Sequence, residues 1–102
     1  MRVRWTPRAR DAFRRQTRYI AQDSPAAARR VATRVRDAVH SLASHPLQGH
    51  PGRVVDTREL VVPRTPFTVV YRVREQIVEV VGIVHHAQQW PESFEPFPLE
   101  DA

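Results

Sequence analysis

The spacing of apolar residues changes character twice along the chain. Residues 2–5, Arg-Val-Arg-Trp, alternate polar and apolar as a short strand does. Thr6-Pro7 then supplies a helix cap followed by a proline at the first helical position. Beyond it Ala9, Ala12, Phe13, Gln16, Tyr19 and Ile20 recur every three or four residues, which predicts a helix of about four turns with a semi-apolar face. Ser24-Pro25 repeats the start signal, and Ala27, Ala28, Val31, Val35, Ala38, Val39 and Leu42 make a cleaner stripe on a second helix that ends before Pro46. A joint of about three residues makes the two an antiparallel hairpin. Residues 45–56 hold two of the three glycines and two prolines and read as a loop. From there the period falls to two. Residues 58–62, 67–73 and 76–85 are strands rich in Val, Ile and Tyr, with joints short enough only for antiparallel hairpins. The expectation is an α+β fold of order β-α-α-β-β-β, a helix hairpin packed on a mainly antiparallel sheet, over residues 1–91. An acidic, proline-containing tail, 92–102, follows.

Strand parity sorts the side chains. In the last strand Val78, Val80, Gly82, Val84 and His86 share one face, expected against the helices; Ile77, Glu79, Val81, Ile83 and His85 share the other. Phe67, Val69, Tyr71 and Val73 are the matching apolar set of the preceding strand, which puts Thr68, Val70 and Arg72 beside Glu79 and His85 on an open face. On this count His85 meets solvent and His86 is buried.

Charge adds an asymmetry that periodicity does not show. Every basic residue is Arg, and the last is Arg74. Sixteen arginines against Asp11, Asp23, Asp37, Asp56 and Glu59 give residues 1–74 a charge of +11, while six acids and no base give 75–102 a charge of −6. A basic segment of this kind attracts nucleic acid or an acidic protein. Arg14, Arg15, Arg18, Arg29, Arg30, Arg34 and Arg36, on the two helices, are the expected partner-binding residues.

Several chemistries lack their parts. With no cysteine there is neither a disulfide nor a thiolate metal site. Adjacent histidines on a strand point to opposite faces, and His40, His45 and His50 have no ligand cluster beside them, so no metal site is expected. No serine sits in a glycine-flanked elbow, and three glycines cannot build a phosphate loop. No cofactor is expected. The charged N-terminus lacks the apolar stretch of a signal peptide, and no apolar run reaches membrane-spanning length, which points to the cytoplasm. What remains is a histidine acting as acid or base beside arginines that hold a phosphate, and Arg58, Arg72 and His85 supply those groups. The other reading is that Arg58 and Arg72 are ordinary exposed sheet residues paired with Glu59 or Glu79. Trp90-Pro91 reads as a packing plug at the end of the fold.

The stretch TRELVVPRTPFTVVYRVREQIVEVVGIVHHAQQWP, residues 57–91, resembles the C-terminal half of the RelE/ParE superfamily of toxins from type II toxin-antitoxin modules; YIAQDSPAAARRV (19–31) and SLASHPLQGHPGR (41–53) extend the resemblance upstream. It implies a small toxin neutralised by a cognate antitoxin. Members that cut messenger RNA on the ribosome commonly carry an Arg just before the apolar run of the middle strand. Here the matching residue is Thr68, and Gln88-Gln89 stand where many relatives have an Arg. A hydroxyl cannot supply the charge that an Arg gives to a phosphate in transit. The resemblance therefore implies a ParE-like toxin that binds DNA gyrase. One alternative is a RelE-like, metal-independent endoribonuclease acting on ribosome-bound message through His85, Arg58 and Arg72. Another is an inactive binding or autoregulatory module. The expected antitoxin segment is acidic and partly disordered, folding onto the basic helix hairpin and a sheet edge in a hetero-oligomer. The acidic tail is expected over the same basic surface when no partner is present.

Overall fold

The computed structural model describes residues 1–87, 90, 91 and 94. The elements are β1 (Arg2–Trp5), α1 (Pro7–Asp23), α2 (Pro25–Ser41), β2 (His50–Pro51), β3 (Arg58–Val61), β4 (Phe67–Arg74) and β5 (Ile77–His85). They form a five-stranded sheet of order β1-β5-β4-β3-β2. β1 runs parallel to β5, and the other neighbours are antiparallel. The expected α+β architecture is present. The two-residue β2 is an addition, cut from the glycine- and proline-rich stretch read as a loop.

Both helices begin as their caps dictate. Thr6 Oγ1 accepts the Ala9 N–H at 3.1 Å, and Ser24 Oγ accepts that of Ala27 at 3.1 Å, each ahead of a proline at the first position. Ser24 also ends α1, since its own N–H donates to Ile20 O at 3.0 Å. A single residue therefore joins the helices where the pattern suggested three. Their apolar faces bury Ala9, Val35, Val39 and Leu42 against Phe67, Val69, Tyr71, Val78, Val80 and Ile83 of the sheet. At roughly 1.5–3 kcal/mol per fully buried large aliphatic or aromatic side chain, this layer dominates the stability.

Two hairpins place residues in the left-handed region. The β4–β5 turn, Glu75-Gln76, has φ of 50° and 68°, the signature of a turn whose twist matches the strands but which prefers Asn-Gly. In the β3–β4 turn Arg64 has φ of 61° just after Pro63, where a type II turn favours glycine.

The ladder between β4 and β5 is not regular. Val70 pairs with Gly82 but Tyr71 pairs with Val80, so Val81 is an extra residue in β5. Such a bulge reverses the in-out alternation beyond it. Val78 and Val80 face the helices as expected, but beyond the bulge it is Ile83 that joins them, while Val81 and Val84 lie on the other side. That corrects the parity count for both histidines. His85 lies on the helix side, its ring edge-on to Phe67 at 5.2 Å between centroids, and His86 is the exposed one. The second face is not open either. Val70, Val81, Val84 and Phe94 are buried together there, with Val54 and Trp90 packed against them. A Cβ on Gly82 would sit 2.5 Å from the Phe94 ring, so only glycine leaves room for that aromatic.

Candidate functional site

The three residues that could form a nuclease centre are held apart, and each has a structural engagement. The Arg58 guanidinium donates to Gly49 O at 3.0 and 2.7 Å and to Leu47 O at 3.2 Å, tying β3 to the chain that leads into β2. Arg72 Nε donates to Glu79 Oε1 at 3.0 Å, both side chains 7% exposed, and Arg4 Nη2 approaches the same carboxylate at 3.2 Å. His85 Nδ1 accepts the Ala87 N–H at 3.0 Å. Arg58 lies opposite Tyr71 and His85 opposite Phe67, on either side of β4 and four residues apart along it, or about 13 Å. Arg72 belongs to the other face, with Glu79.

The exposed histidine that parity missed is His86. Its Nε2 lies 3.1 Å from Thr68 Oγ1, and Thr68 is buried. The signal that could have found it is Gly82, because a glycine inside a strand of β-branched residues often marks a bulge. Gln88 and Gln89 lie outside the described residues, as does the acidic tail apart from Phe94.

A second cluster binds the sheet edge to Trp90 and Phe94. Glu59 is 3% exposed and accepts from Arg53 N at 2.8 Å, Arg53 Nε at 3.2 Å and Arg53 Nη2 at 3.4 Å, with His50 Nε2 3.9 Å away. Burial alone would push this carboxyl up; the Arg53 N–H and guanidinium, helped by His50, outweigh it and hold the group below its ordinary value. The same guanidinium stacks 3.6 Å from the centre of the Trp90 ring, which leans edge-on to Phe94.

The basic residues separate into distinct places. Between α1 and α2 runs a groove of about 550 Å³ whose floor is Ala21, Ala28 and Ala32 and whose walls carry Arg14, Arg18, Arg29 and Arg36. No acid lines it. Among the described residues Arg18 and Arg29 make no ion pair; Arg14 reaches Asp11 at 3.5 Å and Arg36 lies 5.3 Å over the Phe13 ring. Arg15 stands in a separate shallow depression with the exposed Tyr19. Arg34 is half-buried and donates to Arg64 O at 3.4 Å, while Arg30 is exposed. Four of the seven expected partner-binding arginines therefore converge on one concavity with small side chains at its base. Such a groove admits a helix or extended segment at close range and surrounds it with positive charge. Among the described residues no group of three or more potential metal ligands occurs, and no helix is long and apolar enough to cross a membrane.

Comparison with known proteins fixes the family. The profile described as ParE toxin of type II toxin-antitoxin system, parDE, matches residues 3–90. The chain belongs to this ParE toxin family. It is 43% identical over 91 residues to the putative toxin Y4kP of Sinorhizobium fredii, covering 89% of this chain and 94% of that protein. To toxin RelE2 of Caulobacter vibrioides it is 37% identical over 86 residues, covering 84% and 96%. A solved structure of the chromosomal ParDE system of P. aeruginosa contains a chain that superposes with a TM-score of 0.73 at 23% identity, over 83% of this chain and 95% of that one, which shows a shared fold. In this ParE-family chain the match ends at Trp90, so Phe94, which completes the second cluster, lies beyond the family region.

Proposed function

We propose that this toxin stops growth by binding DNA gyrase through protein contact, with no chemistry of its own, and that a cognate antitoxin neutralises it. The observation that carries the reading is the dispersal of Arg58, Arg72 and His85: two faces of the sheet, each side chain engaged in the fold, and a threonine at position 68. A phosphoryl-transfer centre needs its acid/base and its cationic groups converging on one phosphate, and that convergence supplies most of its rate. The antitoxin contributes an acidic segment to the α1–α2 groove, where the four arginines meet its carboxylates and the alanine floor accepts its apolar side. Because Trp90 and Phe94 cover the second face, gyrase is met on the helices or the sheet edges.

The test runs two assays on one preparation, gyrase supercoiling and cleavage of ribosome-bound message. Inhibited supercoiling with intact message is the expected result. Severed message with supercoiling untouched refutes the reading. A second reading, endoribonuclease action, draws on the exposed His86 beside Thr68 and on the name of the Caulobacter relative. In that case His86→Ala, and not His85→Ala, abolishes message cleavage in a folded protein.

A further inference from the structure

The free end of β3 is a surface that the proposed groove does not use. β2 pairs with β3 only at His50↔Glu59 and Pro51↔Arg58. Upstream of His50 the chain turns away, because Gly49 N–H donates to Tyr71 Oη at 2.9 Å and Gln48 N–H to His45 O at 3.1 Å. The direction of the backbone groups follows from the ladder. Val62 N–H donates to Phe67 O at 3.0 Å, so even-numbered residues of β3 bond to β4 and odd-numbered ones face outward. Glu59 meets β2 in this way. Val61, two residues on, points its N–H and C=O to the same side, where no strand of the described residues stands.

The space beside it is shaped. A cavity of about 320 Å³ separates Gln48 from Leu60 and Val61, with Arg34 and Asp37 of α2 above it and Arg64 at one end. Gln48 also borders a larger depression formed with Pro46 and Leu47. Leu47 is 67% exposed and Val61 51%, two of the few large apolar side chains left in water. Natural sheets usually guard such an edge with charge. The opposite edge, β1, does so: Arg2 and Arg4 occupy two of its four positions. The end of β3 does not.

We propose that this edge takes an extended, acidic and apolar segment of the antitoxin as an added strand, bonded to the N–H and C=O of Val61. The inference rests on the reading that an antitoxin holds this chain, and adds a contact separate from the α1–α2 groove. Apolar side chains of the segment fill the depression at Leu47, and a carboxylate meets Arg34 and Arg64. Charge decides against a second copy of this chain. Antiparallel self-pairing about Val61 would set Arg58 of one copy opposite Arg64 of the other, a like-charge pair on both sides of the axis. Strand addition supplies affinity through main-chain bonds and specificity through alternate side-chain pockets.

The experiment measures affinity of the purified antitoxin encoded with this toxin for variants at each place. Val61→Pro removes the outward N–H and leaves pairing with β4 intact, since proline is tolerated at an edge facing out. We expect at least tenfold weaker binding, and at least fivefold for Leu47→Glu, which places a negative charge against an acidic segment at an exposed position. Arg29→Glu in the groove reports on the other contact. If Arg29→Glu weakens binding while Val61→Pro and Leu47→Glu stay within twofold of wild type, the edge inference fails and the groove reading stands. The reverse pattern sinks the groove and keeps the edge. Deuterium exchange at the Val61 amide of the wild-type complex decides the matter should Val61→Pro not fold: protection supports strand addition, unchanged exchange overturns it. A toxin that is dimeric alone by light scattering and becomes monomeric on Leu47→Glu also overturns it, in favour of a second copy.

Discussion

Deleting one oxygen, in Tyr71→Phe, isolates what holds the chain between α2 and β3 in place. The Tyr71 side chain is fully buried in the main core; its hydroxyl donates to Pro46 O at 2.8 Å and accepts the Gly49 N–H at 2.9 Å. A Cβ on Gly49 would lie 2.8 Å from that hydroxyl and 2.7 Å from Glu59 O, so the backbone is pressed against both. The ring of phenylalanine fills the same space, leaving the packing nearly unchanged and removing only polar partners. Two hydrogen bonds worth about 1 kcal/mol each are lost, and the buried Gly49 N–H left without an acceptor adds about 1–3 kcal/mol, for a total of about 3–5 kcal/mol. At about 4–8 °C per kcal/mol for a domain near this size, the melting temperature falls by at least about 12 °C. Urea unfolding followed by circular dichroism measures the free energy, and deuterium exchange should show residues 46–51 opening first, since Arg58 grips the carbonyls of Leu47 and Gly49 in the same segment. A loss below about 0.5 kcal/mol, with exchange of that segment unchanged, would show that the hydroxyl is not the anchor.

Three further outcomes follow from other contacts. Glu59 is held below its ordinary value of 4.5 in the folded state, so its contribution to stability is complete above that value and lost as pH falls through the depressed one; acid titration of the urea midpoint should show this loss, and Glu59→Gln should remove that part of it. Gly82→Ala should cost about 1–3 kcal/mol by driving Phe94 from its seat, and in Phe94→Ala the same change should cost much less, a coupling that a double-mutant cycle reads directly. Replacing Glu75-Gln76 by Asn-Gly should stabilise the β4–β5 hairpin by about 1 kcal/mol, seen as a raised urea midpoint, because both positions already have positive φ.

How far the chain could be read without coordinates depended on whether the deciding physics was local. Thr6-Pro7 and Ser24-Pro25 mark helix starts by the chemistry of their own side chains, and both marks hold. The three strands β3, β4 and β5 were equally legible, since β-branched residues crowd them and hairpin joints leave little choice of pairing. The order of strands is another matter. That β1 lies parallel beside β5 follows from where the helix hairpin packs, which no short window contains. β2 was lost because two residues amid glycine and proline carry no period. The candidate site suffered most from Val81: one extra residue put His86 where His85 was expected, and Gly82 was the sole hint. Arg58 and Arg72 had the right composition for a phosphate site, but their partners, loop carbonyls and a buried glutamate, are set by tertiary contacts. The arginine groove was legible as residues and not as a place, because helical spacing names a face without saying what lies across it.

The bulge at Val81 turns the chemistry of one end of the sheet into a matter of counting. Deleting that single residue would restore strict alternation and leave every partner in place, Ile83 and His85 still on the helix side and His86 still in solvent; keeping it in a ladder without the bulge would instead turn Ile83 away from the helices and exchange the stations of the two imidazoles. The same two letters can thus present a different ring to solvent in strands of equal length that differ only in whether the ladder bulges, and an aligned histidine is evidence of function only once its partner on the neighbouring strand is known, not its count from Val80.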